Sequence, residues 1–99
     1  MADTSLAITT EYVQCFMALI GKGISWPDAV VQSLVKQGLD RLDVTYVMTH
    51  GGVVEVEKET ADGTNFVMVG KTCDDVHVRV EFWADVNQLS LRILDVTCI

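Results

Sequence analysis

Leu34-Val35-Lys36-Gln37-Gly38-Leu39-Asp40-Arg41-Leu42-Asp43-Val44-Thr45-Tyr46-Val47-Met48 is the stretch on which the fold turns. Before Gly38, apolar residues recur at helical spacing, with Ala29, Val30, Val31, Leu34 and Val35 on one stripe. After Gly38 the rhythm reads as two, and Val44, Tyr46 and Met48 fall on one side of a strand expected over residues 43–49. The change of period near residue 40 predicts helices first and a pleated layer after them.

Working back toward the N-terminus, Ser25-Trp26-Pro27-Asp28 has the order of a helix start. It offers a capping serine, a proline whose missing N–H costs nothing in the first turn, and an acid beside the positive helix end. An earlier helix is expected to begin at Thr9-Thr10. Tyr12, Val13, Phe16, Met17, Leu19 and Ile20 would form its apolar face, and Gly21 and Gly23 would end it.

Working forward, Gly51-Gly52 makes a turn into residues 53–59, where Val54 and Val56 are expected to face inward and Glu55, Glu57 and Glu59 to face water. Ala61-Asp62-Gly63-Thr64 reads as a hairpin turn. Residues 65–72 are apolar on both faces, as in an internal strand. Val76, Val78, Val80 and Phe82 alternate with His77, Arg79, Glu81 and Trp83. In the last strand the apolar pattern of Leu89, Leu91 and Ile93 changes phase at Leu94 and Val96, which calls for a bulge near residues 93–94. The expected fold is a single α+β domain over residues 1–99. Two N-terminal helices pack on one face of a four- to five-stranded antiparallel sheet.

The chain has 99 residues, 49% of them hydrophobic, enough for one core. No apolar run approaches the roughly 20 residues that span a bilayer, and the acidic Met1-Ala2-Asp3 start lacks the basic end of a secretory signal, so a cytoplasmic protein with no membrane contact is expected. Fourteen acidic residues against seven basic ones give a net charge of −7. Phosphate neutralisation supplies most nucleic-acid affinity, so this balance disfavours RNA or DNA and favours a protein partner, a second copy of the chain included. Cys15, Cys73 and Cys98 are widely spaced with no C-x-x-C pair, so reduced structural thiols are expected.

Few residues combine into a chemical motif. His50 and His77 lack the spacing of a metalloprotease or zinc site. Asp74-Asp75 and the glutamates of residues 55–59 lack a calcium-loop pattern. Gly70-Lys71-Thr72 lacks the upstream glycine and the helix of a phosphate loop. No metal or cofactor is expected. The row His77, Arg79, Glu81 and Trp83 puts an imidazole, a guanidinium, a carboxylate and an indole on one strand face. Lys71 and Arg92 on neighbouring strands would add two cations, which could hold a phosphate or an acidic partner. The simpler expectation for that face is solvated Arg79–Glu pairing. Trp26 and Trp83 are the aromatic candidates for a protein interface.

Three segments carry a family likeness: residues 21–30 (Gly-Lys-Gly-Ile-Ser-Trp-Pro-Asp-Ala-Val), residues 65–75 (Asn-Phe-Val-Met-Val-Gly-Lys-Thr-Cys-Asp-Asp), and the strand pair 76–80 and 91–97. In these the chain resembles small domains related to the BrnT and RelE toxins of toxin–antitoxin systems. The resemblance implies a RelE-like α+β fold. For an active member it implies RNA cleavage by sheet residues, here Lys71, Arg79 and Arg92, with His77 as the candidate base. Such domains often carry a histidine and arginines on the first helix, where this chain has Thr10-Glu11-Tyr12 and Cys15-Phe16-Met17. The leading expectation is therefore a non-enzymatic interaction or regulatory domain on a toxin-like fold. An RNA-cleaving toxin and a small-molecule-binding domain are the alternatives.

Overall fold

A computed structural model describes residues 23–60, 63–85 and 90–99. The helix expected over residues 9–20 lies outside these, as do Cys15 and parts of the turns at Ala61-Asp62 and Val86-Asn87. The elements run β1 (Ile24–Ser25), α1 (Asp28–Gln37), α2 (Arg41–His50), β2 (Gly52–Glu59), β3 (Thr64–Lys71), β4 (His77–Asp85) and β5 (Ser90–Cys98). The sheet order is β1-β5-β4-β3-β2. β2 to β5 form an antiparallel meander, as short connections require. The sheet as a whole is mixed rather than antiparallel, because β1 pairs with β5 in parallel at Ile24–Leu91 and Ser25–Arg92.

That parallel pair also relocates the start of α1. Ser25 is in the strand, Pro27 takes the N-cap position, and no side chain caps the helix. The Pro27 carbonyl accepts from Val30 and Val31 at 2.9 and 3.1 Å, and Asp28 sits in the first turn. At the other end Gly38 is left-handed, at φ 73°. Its N–H reaches the Val35 carbonyl, and the Leu39 N–H reaches Leu34 at 2.9 Å. This is a Schellman ending, and its two apolar partners, Leu34 and Leu39, are both buried. The buried stripe is narrower than expected: Val30 and Leu34 are inside, whereas Ala29 and Val35 are exposed.

The largest departure is residues 41–50, which form helix α2 and not a strand. Val44, Val47 and Met48 are the buried set, at spacings of three and four. The alternation of Val44, Tyr46 and Met48 is thus a coincidence within a helical face. Asp40 and Asp43 mark where this helix begins. The Asp43 N–H donates to Asp40 Oδ1 at 2.9 Å and the Asp40 N–H donates to Asp43 Oδ2 at 3.0 Å. This reciprocal box satisfies two orphan donors of the first turn. Leu39 and Val44 occupy the two positions of a hydrophobic staple across it, and both belong to the core. Thr45 and Thr49, which favour strands, are accommodated by donating their hydroxyls to the carbonyls of Arg41 and Thr45.

Both helices pack on the sheet face that carries Phe66, Met68, Val78, Val80, Phe82, Leu91, Ile93 and Val96, with α1 against β5 and α2 against β3 and β4. The expected bulge in β5 is present: Glu81 pairs with Asp95 and Phe82 with Ile93, leaving Leu94 unpaired. The extra residue returns Val96 to the core face beside Leu91 and Ile93. β2 has two such shifts: Val53 and Val56 pair with Met68 and Phe66 on the core face, as expected for Val56, whereas Val54 falls in the first shift between Val53 and Glu55. Val53 is buried, and Val54 and Val56 are exposed at the sheet edge.

Candidate functional site

The face of β4 away from the helices carries His77, Arg79, Glu81 and Trp83, each alternating with a buried residue. Strand register decides what meets them. Lys71 pairs with His77, Val69 with Arg79, Val67 with Glu81 and Asn65 with Trp83 on β3. On the β5 side Thr97 pairs with Arg79, Asp95 with Glu81 and Arg92 with Trp83. Lys71 and Arg92 therefore sit six residues apart along β4, about 20 Å at strand rise. The three cations do not converge.

Arg79 lies between two acids, with guanidinium nitrogens 3.7 Å from Glu57 Oε1 and 3.9 Å from Glu81 Oε1. The side-chain amide of Asn65 donates to both carboxylates, at 3.0 Å to Glu57 and 3.2 Å to Glu81, while its Oδ1 is buried without a partner. Glu55, Val67, Glu81 and Asp95 are successive register partners, so a band rich in carboxylates crosses the middle of this face. Desolvation first, then the neighbouring Glu81 and Glu55 carboxylates, hold the Glu57 carboxyl above its ordinary range. The expected Arg79–Glu pairing is present. Asn65 ties the two acids together, and nothing local in the sequence marks an internal-strand asparagine as a bridge.

Lys71 and His77 border a cleft of about 520 Å³ at one end of the sheet, between the end of α2 and the β3–β4 turn. Tyr46, His50, Cys73 and Asp75 also line it. The His50 ring stacks on Tyr46 with centroids 4.2 Å apart, and its Nδ1 is 3.1 Å from the Tyr46 carbonyl. The turn is organised by buried Thr72, whose Oγ1 accepts from the N–H groups of Asp74 and Val76. Asp75 is left-handed there, at φ 63°. His50 joins this cleft because residues 41–50 are helical, a placement hidden by the strand reading. The cleft combines one lysine with two imidazoles, a set able to bind an anion or move a proton. Among the described residues no three His, Cys, Asp or Glu side chains are grouped to hold a metal ion.

A second pocket, of about 380 Å³, opens at the opposite end, between β1, β4 and β5. Ile24, Ser25, Trp83, Asp85, Ser90 and Arg92 line it. Trp83 is half-buried, and its ring lies against Gly63, where a Cβ would come within 2.8 Å of two ring carbons. Trp26 is also half-buried, packed on the core with the Arg41 guanidinium 5.6 Å from its ring centroid. Cys73 and Cys98 are free thiols. No described helix is long and apolar enough to cross a membrane.

No family model matches the chain, and neither a curated protein nor a solved structure matches it.

Proposed function

We propose that the chain is a non-catalytic interaction domain that works by binding a protein, a second copy of itself being the simplest partner. The observation that carries this reading is a pair of exposed aliphatic side chains flanking the turn between the helices. Val35, in the last turn of α1, is 73% exposed, and Leu42, in the first turn of α2, is 79% exposed. Only the Schellman turn and its cap separate them. Aliphatic groups left in water on both sides of a rigid turn favour association, since covering them recovers about 25 cal/mol per Å² of apolar surface. Size-exclusion chromatography with light scattering on the full chain, together with a pull-down, tests the proposal. A mass above the monomer's 10.9 kDa, or a captured partner, is expected, and Leu42→Ser should abolish it. A strict monomer that captures nothing would overturn it.

A second reading, an RNA-cleaving toxin, is favoured by one observation: Lys71 and His77 are register partners and share their cleft with His50. Against it stand Arg79, held between two glutamates, and Arg92 at the far end of the sheet. It predicts growth arrest on expression, relieved by Lys71→Ala or His77→Ala. Harmless high-level expression would exclude it.

A further inference from the structure

We propose that the pocket between Trp83 and Arg92 binds a small planar monocarboxylate, with the acid on Arg92 and the ring of the ligand on the indole. Arg92 and Trp83 are direct cross-strand partners, so their side chains rise from the same face at adjacent positions. The two other arginines among the described residues are engaged, Arg79 with Glu57 and Glu81 and Arg41 over Trp26. Arg92 is exposed and forms no ion pair with a described acid. An unpaired guanidinium presents a planar fork that fits a carboxylate through two parallel hydrogen bonds.

The indole is fixed before any ligand arrives. Gly63 closes one part of the ring, and a side chain there would collide with it. A platform held in this way loses little entropy when a second ring stacks on it. The pocket volume of about 380 Å³ lies near the lower end of ligand sites, which suits one ring and its acid. The hydroxyls of Ser25 and Ser90 supply neutral hydrogen-bonding groups in the same wall.

Charge sets the ligand class. Asp85 lines the same pocket, and the whole chain carries −7. A dianion such as a phosphate monoester would meet that repulsion twice, whereas a monocarboxylate matches the single guanidinium. The inference does not rest on the interaction reading, and its test is independent of oligomeric state.

The test is an NMR titration of the ¹⁵N-labelled full chain with benzoate, with its uncharged isostere benzamide, and with inorganic phosphate. Benzoate should saturate with a Kd on the order of 1 mM, typical of a fragment of its size. It should move the Trp83 indole N–H and the Arg92 amide and leave the Trp26 indole as an internal reference. Arg92→Gln, a change at an exposed position, should keep the native spectrum and weaken benzoate roughly tenfold or more. Benzamide and phosphate should bind at least as weakly as benzoate does to that variant. Equal binding of benzoate and benzamide, shifts centred on Lys71 and His77, or no saturable shift by about 20 mM would each overturn the proposal.

Discussion

Gln37 and Cys98 are 61 residues apart in sequence, yet the Gln37 side-chain carbonyl accepts the Cys98 N–H at 2.7 Å. The same amide donates to the Val96 carbonyl at 2.8 Å. One helix side chain thus offers β5 a donor and an acceptor, as the peptide group of a neighbouring strand would. β1 pairs with β5 only at Leu91 and Arg92, so Gln37 takes over along the edge that β1 leaves unpaired. Ser33 steadies the amide, accepting from Nε2 at its hydroxyl and its carbonyl.

Gln37→Ala should therefore destabilise the fold by about 1–3 kcal/mol, the sum of two net hydrogen bonds. Urea unfolding would measure the loss, and faster hydrogen exchange at the Cys98 amide would locate it. Gln37→Glu keeps the acceptor for Cys98 and removes the donor to Val96, so it should also destabilise the fold. A Gln37→Ala midpoint equal to that of the parent would show that water replaces the amide without cost.

The capping box of α2 makes a similar claim at the helix that the hydrophobic pattern disguised. Asp40→Ala removes the acceptor for the Asp43 N–H and should cost about 1 kcal/mol, up to about 2. Asp43→Ala leaves that bond in place and should cost less. Thermal unfolding by circular dichroism would separate the two variants.

Two kinds of glycine should respond differently to alanine. A Cβ on Gly51 would lie 2.5 Å from the Val47 carbonyl oxygen and 2.7 Å from that of Val69, and one on Gly70 would lie 2.9 Å from Gly51 Cα. These neighbours are backbone, so overpacking of about 1–3 kcal/mol is expected at either site. Gly38 has open space around it, and only its φ of 73° opposes a side chain, at about 1–2 kcal/mol. Combining Gly51→Ala with Gly70→Ala should be non-additive, because the two positions touch, and denaturant unfolding of the double variant checks this.

Glu57 links stability to pH. Its folded-state pKa is raised, so the folded chain holds this proton more tightly than the unfolded chain does. The contribution is fully present below the unfolded value and is lost as pH rises through the folded one. Glu57→Gln should remove this component and make the protein more stable than the parent at neutral pH. The Tm of both proteins, followed upward from pH 4, would show the curves diverging as pH rises from the ordinary carboxylate value through the raised folded one. Parallel curves would mean that Arg79 already compensates the carboxylate cluster.

Much of the sheet was legible from sequence because its signals are local. β3, β4 and β5, the break at Gly38 and the β5 bulge follow from alternation and from the unique freedom of glycine. The candidate residues were legible as types and not as groups. Lys71 with His77 and Trp83 with Arg92 are pairs created by register, and register depends on turns and bulges that composition does not reveal.

By itself the sequence determined an α+β chain, its acidic charge, and the row of polar residues along β4. Only tertiary structure decided that residues 41–50 are helical, that β1 joins in parallel, and that Lys71, Arg79 and Arg92 do not converge. Each outcome depends on partners distant in sequence. Val44, Val47 and Met48 gain more by facing the sheet than β-branched residues lose in a helix, and a two-residue strand has no pattern to read until β5 supplies its partner.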